Sequence, residues 1–156
     1  MIVLVCGPPA VGKTTIATRA RTRLASAGHH FRLLHSDDFS RRTYERLAAA
    51  VAEAPDDDWI VDGTFYRREW RDRFRDLGDV RVVSLTASLA TCLARNRARE
   101  EPIDEQGVHV VYREFDPIDA DLTIDTDDLS VEDAVDRLVR AIERWASAGG
   151  PPTGGA

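Results

Sequence analysis

The octet GPPAVGKT at positions 7–14 allows very few backbone arrangements. Its glycines and its Lys-Thr pair occupy every fixed position of the Walker A phosphate-binding pattern. This pattern requires a buried strand before the loop and a helix after it. The apolar run at 2–6 predicts the strand, and residues 14–27 predict the helix. The sequence therefore predicts a strand, a phosphate-binding loop and a helix in direct succession; the alternative is a chance glycine-rich turn.

The residue types of the octet suit the phosphates of a nucleotide. Glycine lets the loop turn its N–H groups inward, and the N-terminus of the following helix adds a favourable dipole. Lys13, the only lysine of the chain, is predicted to bridge the β- and γ-phosphates. Thr14 is predicted to ligate Mg²⁺ through its hydroxyl. The nucleotide-binding residues are predicted to be Gly7, Pro8, Pro9, Ala10, Val11, Gly12, Lys13, Thr14 and Thr15.

Composition narrows the class of protein. With 156 residues the chain suits one domain, and no apolar run approaches the length of a membrane span. The N-terminus enters the first strand without a basic region and a long apolar segment, so we expect a cytoplasmic location. The net charge of −6 argues against stable binding of bare nucleic acid. Cys6 and Cys92 are too few for a disulfide framework, and we expect both to be reduced core residues.

Strand patterns alternate with helix patterns along the chain. We predict strands at 2–6, 31–35, 59–61, 80–85 and 122–124. We predict helices at 14–27, 42–53, 67–77, 88–99 and from 130 to 146, and a further helical stretch after residue 106 and through 115. This order predicts an α/β P-loop fold of three layers, with a five-stranded parallel sheet and helices on both faces. We expect one domain at 1–146, a short lid at about 96–116, and a disordered tail at 147–156.

Polar residues at the end of the second strand are candidates for catalysis. Asp38 and Arg41 lie one helical turn apart in the segment DFSR. A carboxylate there can accept the proton of an acceptor hydroxyl, and an arginine can steer the acceptor or stabilise phosphoryl oxygens. The alternative is that Asp37 and Asp38 cap the following helix.

A second carboxylate follows the third strand. Asp62 directly after an apolar run is the Walker B arrangement, which holds Mg²⁺ directly or through water. The alternative is a turn aspartate before Gly63.

Two arginines precede the predicted lid. Arg95 and Arg99 are four residues apart, so a helix places both on one face, where a closing lid can bring them to a phosphoryl group. The alternative is a solvated face paired with Glu100 and Glu101. The five arginines of the third helix are interleaved with acidic residues and indicate an exposed surface; they are Arg67, Arg68, Arg71, Arg73 and Arg75. The four histidines lack metal-site spacing, and we expect surface or packing roles for them.

The motifs occur in an order that resembles small P-loop kinases over residues 1–146. They are GPPAVGKT at 7–14, DFSR at 38–41, VDGT at 61–64, RNRAR at 95–99 and IDT at 124–126. The chain looks similar to adenylylsulfate kinase and to the kinase domain of archaeal seryl-tRNA(Sec) kinase. The resemblance implies that Asp38 is a base or acceptor ligand, that Asp62 supports Mg²⁺, and that Arg95 and Arg99 contact the phosphates of ATP.

The leading hypothesis is a kinase that uses ATP and Mg²⁺ and transfers the γ-phosphoryl group to an acceptor hydroxyl. The acceptor would be a small-molecule, nucleotide-like or RNA-linked substrate. The competing class is a nucleotide-dependent switch or binding ATPase that has no phosphoryl acceptor. A third class, an RNA-end kinase, predicts strong salt sensitivity and fits the acidic composition less well.

Overall fold

The strands form one parallel sheet in a computed structural model, which describes residues 1–148. The strand order is β2-β3-β1-β4-β5, and every neighbouring pair is parallel. The strands are β1 (Ile2–Cys6), β2 (Phe31–His35), β3 (Asp58–Gly63), β4 (Val80–Thr86) and β5 (Leu122–Asp125). The predicted α/β P-loop architecture is confirmed. The predicted third strand was too short, because it also includes the polar residues at both ends.

Six α-helices connect or follow these strands. They are α1 (Lys13–Ser26), α2 (Thr43–Ala52), α3 (Arg68–Arg75), α4 (Leu89–Arg97), α5 (Glu105–Glu114) and α6 (Val131–Ala148). The structure adds a 3₁₀ turn at Ser36–Asp38 that the sequence did not predict. Helix α6 extends two residues beyond its predicted end, and the rest of the predicted tail lies outside the described residues.

Apolar side chains pack against both faces of the sheet. On one face, Val3 and Val5 of β1 join the cluster that contains residues of α1 and α6. On the other face, Ile2, Leu4 and Cys6 join the cluster that contains residues of α2 and α3. All five residues of β1 are buried, as expected for a central parallel strand with helices on both sides. The molecule therefore has the predicted three layers.

The strand order places the loop after β1 at a topological switch point. The chain runs from β1 to β2 and β3 on one side and then crosses to β4 on the other side. Ligands of open α/β sheets bind at the carboxyl ends of strands where this reversal occurs. The sheet register also pairs His35 with Asp62 and Asp62 with Val5. The ends of β1, β2 and β3 therefore lie together.

The connection between α4 and α5 is fixed by a buried amide side chain. Asn96 is 1% exposed; its Nδ2 donates to the carbonyl oxygen of Ile103 over 2.8 Å, and its Oδ1 accepts from the Ile103 N–H over 3.1 Å. These two bonds satisfy both main-chain polar groups of Ile103. The segment from residue 98 to 102 is therefore a loop closed at its base.

Within residues 1–148, no helix combines the length and the low polarity that crossing a bilayer requires.

Candidate active site

The loop between β1 and α1 depends on glycine at two positions. A Cβ atom at Gly7 would lie 2.6 Å from the carbonyl oxygen of Leu85, and Gly12 has a φ of 100°, which favours glycine. Ala10 also has a positive φ of 65°. Gly12 is the N-cap residue of α1, so the loop leads directly into the helix N-terminus. This geometry presents main-chain N–H groups and the helix dipole to one small volume.

The Lys13 side chain folds back over the loop. Its Nζ donates to the carbonyl oxygen of Pro8 over 2.8 Å. Desolvation lowers the pKa of Lys13 from 10.5 to about 8, although the nearby carboxylates of Asp62 and Asp37 act in the opposite direction. Lys13 is therefore a partly buried cation at the edge of a cavity, a state that a bound phosphate would stabilise.

Both oxygens of the Asp62 carboxylate have partners. Oδ1 accepts from the Thr14 hydroxyl over 3.2 Å, and Oδ2 contacts Nδ1 of His35. Asp62 is 2% exposed, and burial raises the pKa of its carboxyl, while the hydrogen bond from His35 opposes the rise. A hydroxyl oxygen and a carboxylate oxygen thus meet beside the phosphate loop. Oxygen donors of these two kinds fit Mg²⁺.

One cavity of 610 Å³ brings most of the predicted site residues together. The charged or hydroxyl-bearing residues that line it are Lys13, Thr14, Thr15, Ser36, Asp37, Asp62, Thr64, Arg95, Arg99 and Glu101. Pro9, Ala10 and Gly12 also line it, whereas Gly7 and Pro8 line a neighbouring cavity of 380 Å³. The phosphate loop therefore separates two cavities.

The two aspartates of the 3₁₀ turn differ in position. Asp37 lines the large cavity with Lys13 and Asp62, whereas Asp38 and Arg41 do not. The side chains of Asp37, Asp38 and Arg41 are all exposed, so lining of the cavity and not burial distinguishes Asp37. The sequence singled out Asp38 because it begins the DFSR segment, but a turn of three residues sends neighbouring side chains in different directions.

Arg95 connects three parts of the chain. Its Nη1 donates to the Thr126 hydroxyl over 3.0 Å and to the Val11 carbonyl oxygen over 3.4 Å, and its Nη2 donates to the Thr126 carbonyl oxygen over 3.1 Å. These bonds join α4 to the phosphate loop and to the segment after β5.

Arg99 lines the same cavity from the start of the α4–α5 loop, and its side chain is exposed. Within residues 1–148, Arg99 forms no ion pair with Glu100 or Glu101, so the predicted alternative of a paired, solvated face is not seen there. Arg97 pairs with Glu105 instead, away from the cavity.

Sequence reasoning missed two residues beside the site. His35 was assigned a surface or packing role, yet it contacts Asp62 because their strands pair in register. The Tyr44 hydroxyl contacts the Thr64 hydroxyl over 2.9 Å and accepts from the Phe65 N–H over 3.0 Å. Neither residue belongs to a local motif; only the position of His35 at a predicted strand end could have indicated its role.

The fold and the loop define the class of protein. A parallel sheet with a phosphate loop after β1, an acidic residue at the end of β3 and a helical segment over the strand ends is the P-loop fold found in kinases. Residues 2–120 match the family model described as AAA domain, and the chain belongs to this family.

Individual relatives agree with this class. The chain is 29% identical to a probable adenylyl-sulfate kinase from Halalkalibacterium halodurans, over 88% of this chain and 80% of that protein. A gluconokinase structure from Sinorhizobium meliloti 1021 superposes with a TM-score of 0.72 at 15% identity, over 94% of this chain and 93% of that chain. The Mycobacterium tuberculosis APS kinase, solved in complex with AMPPNP and APS, gives a TM-score of 0.69 at 19% identity, over 91% and 96%.

Proposed function

We propose that this protein is a kinase that transfers the γ-phosphoryl group of ATP to a hydroxyl of an acceptor. One observation carries the proposal: a desolvated lysine, a Thr–Asp pair suited to Mg²⁺, a further aspartate and two arginines line one cavity. A switch requires the lysine and the Thr–Asp pair and can also use an arginine, but it needs no carboxylate that receives a proton from an acceptor hydroxyl. The additional carboxylate and the arginines are groups that phosphoryl transfer to an acceptor uses.

The phosphate loop, residues 7–15, would hold the triphosphate through its main-chain N–H groups. Lys13 would contact the β- and γ-phosphates. The hydroxyl of Thr14 and the carboxylate of Asp62 would hold Mg²⁺, which neutralises charge on the phosphates when it is bound. Thr14 binds Oδ1 of Asp62 and His35 contacts Oδ2, so the two residues together would fix the orientation of the carboxylate.

Asp37 is our candidate for the residue that receives the proton of the acceptor hydroxyl. It lines the cavity with Lys13, whereas Asp38 does not. As the acceptor oxygen bonds to the γ-phosphorus and ADP leaves, the hydroxyl proton would pass to the Asp37 carboxylate. The role of Arg41 in steering the acceptor stays a prediction from the sequence, since Arg41 does not line the cavity.

Arg95 and Arg99 would stabilise charge on the transferred group from the lid side. Arg95 is held by Thr126 and Val11, so it is positioned before nucleotide binds. Arg99 sits on the loop that Asn96 closes, so its position depends on the lid. We propose residues 96–116 as this lid, which includes all of α5.

The relatives support a phosphoryl acceptor but differ in the acceptor that their names give. One is named for adenylyl sulfate and another for gluconate. We therefore propose an alcohol group on a small molecule, on a nucleotide or on an RNA-linked substrate as the acceptor class. An acceptor panel of adenylyl sulfate, gluconate, nucleosides, seryl-tRNA and RNA 5′ ends covers these classes.

The test is transfer of label from γ-labelled ATP to each member of the panel in the presence of Mg²⁺. We expect one acceptor class to become labelled. Asp37→Asn should then lower kcat by roughly 10²–10⁴-fold, because the proton acceptor is lost, and should leave the KM for ATP nearly unchanged. Asp38→Asn is the matched control, with an expected change of at most about threefold.

Two outcomes would contradict this assignment. Release of ADP and phosphate with every acceptor, and no labelled product, would argue for the switch rather than the kinase. A large loss of kcat in Asp38→Asn, with full activity in Asp37→Asn, would show that Asp38 is the base, as the sequence predicts.

A further inference from the structure

Three arginines of α3 line a separate cavity of 330 Å³. They are Arg68, Arg71 and Arg75, at spacings of three and four residues that place them on one face of the helix. The opposite wall is formed by Val82, Pro117 and Ile118. No residue of the proposed catalytic cavity lines this one. It is therefore a second polar cavity, on the face of the sheet that α2 and α3 cover.

Arg71 corrects the prediction that the α3 arginines are all exposed. It is only 4% exposed, because the segment after α5 covers it. Its Nη1 donates to the Pro117 carbonyl oxygen, and its Nη2 donates to the carbonyl oxygens of Asp116 and Pro117, each over 3.3 Å. Among residues 1–148, Nε has no hydrogen-bond partner. The hydrogen-bond acceptors of the buried guanidinium in the described residues are thus main-chain carbonyl oxygens and not a carboxylate.

A buried cation without a counter-ion is costly. Burial lowers the pKa of Arg71, and the more distant carboxylates of Asp116 and Asp72 only partly oppose this. One carboxylate at the cavity, Asp72, lies 3.4 Å from Arg75 and is already paired. The other, Asp119, is exposed. Three guanidinium groups thus line the cavity with these two carboxylates, and a third carboxylate, that of Asp116, adjoins Arg68 and Arg71.

The side chain of Arg68 is available for a ligand. Only its main-chain N–H is used, as a donor to the Asp116 carboxylate over 2.8 Å. Within the part of the chain that the structure describes, the Arg68 guanidinium has no ion pair, and its side chain is exposed. A planar guanidinium offers two parallel N–H groups to the oxygens of a phosphate or sulfate group.

We propose that this cavity binds a compact oxyanion of the phosphate or sulfate type, held by Arg68 and Arg71. The anion is either the free ion or the phosphate of a small monoester. Its site is distinct from the phosphate loop and does not depend on the proposed kinase activity. Because Arg71 also holds Asp116 and Pro117, a bound anion would be connected to the segment that ends the proposed lid.

The test uses amide-resolved NMR titration of the full chain carrying Lys13→Ala, which weakens the phosphate loop as a competing site. Inorganic phosphate and adenosine monophosphate are titrated separately, with chloride at equal ionic strength as the reference. We expect saturable shifts of the amide signals of residues 68–75 and 116–119, which differ from any shifts at residues 7–15. Tighter binding of inorganic phosphate would identify the ligand as the free ion, and tighter binding of adenosine monophosphate would identify it as a monoester.

The substitution Arg68→Gln should weaken this binding by about tenfold or more, because it removes a charged hydrogen-bond donor. Arg73→Gln is the matched control on the same helix: Arg73 lies 3.4 Å from Glu45 and does not line the cavity. Its effect should stay within about twofold. The absence of saturable shifts at 68–75, or equal effects of the two substitutions, would overturn the proposal.

Discussion

At the scale of single residues, the position of Lys13 in the candidate site lowers the stability of the folded protein. Its ammonium group is partly buried and donates to the Pro8 carbonyl oxygen. The pKa falls from 10.5 to about 8, so the folded state holds the proton less tightly than the unfolded state. A residue that serves a ligand in this way destabilises the protein when the ligand is absent.

Replacement of Lys13 by methionine should therefore stabilise the nucleotide-free protein. Between pH 8 and 10.5 the unfolded chain keeps a proton on Lys13 that the folded chain has lost, so this residue's contribution to stability rises with pH across that window. The penalty is fully present below pH 8. We expect Lys13→Met to gain roughly 2 kcal/mol at pH 7 and much less above pH 10.5.

Urea denaturation of both proteins at the two pH values measures this difference. Both proteins carry Cys6→Ala in this comparison, because burial raises the pKa of the Cys6 thiol to about 12 and that thiol interacts with the charge of Lys13. A gain of the same size at both pH values would show that the charge of Lys13 is not the cause.

At the scale of elements, the connection of α4 to α5 depends on the Asn96 side chain. The buried Asn96 amide makes one hydrogen bond to the N–H of Ile103 and one to its carbonyl oxygen. It fixes the base of the loop that carries Arg99, while Arg97 and Glu105 add an exposed ion pair across the same loop. The buried contact should matter more than the exposed one, since water competes for the exposed pair.

Substitution Asn96→Ala should lower the free energy of unfolding by about 1–3 kcal/mol, because both polar groups of Ile103 lose their partners. Hydrogen exchange at residues 98–104 should become faster, and thermal unfolding measures the loss in stability. Arg97→Gln is the control and should change neither measurement appreciably. Equal effects of the two substitutions would contradict the assigned role of Asn96.

At the scale of the whole molecule, the sheet couples two hydrophobic layers. Trp59 belongs to the cluster under α2 and α3, whereas Trp145 packs on the cluster under α1 and α6. Alternate residues of β1 enter the two clusters, so neither layer can lose its packing without disturbing the strand they share. This arrangement favours one cooperative unfolding transition.

Variants that retain a single tryptophan test this cooperativity. One keeps Trp59 and the other keeps Trp145, with phenylalanine at the remaining tryptophan positions. In each variant, we expect the denaturation midpoint from fluorescence to coincide with the midpoint from far-UV circular dichroism. A fluorescence midpoint that differs from the circular dichroism midpoint in either variant would show that the layers unfold separately.

Local pattern was sufficient for most of the fold. The bounds of β1 and β2 agree with their prediction, and the order of strands and helices implied the parallel sheet with two covered faces. Each of these features follows from neighbouring residues: apolar runs, helical periodicity and glycine positions. The burial of Cys6 and Cys92 was also predicted correctly from their apolar surroundings.

The sequence by itself determined the phosphate loop, with Lys13 and Thr14, and the position of Asp62 at a strand end, because these depend on consecutive residues. Only the tertiary structure decided that Asp37 lines the cavity, that His35 contacts Asp62 and that Arg71 is buried. The physical reason is the same in all three cases. The direction of a side chain in a short turn, the register of a strand pair and the covering of a helix face are set by segments that are distant along the chain.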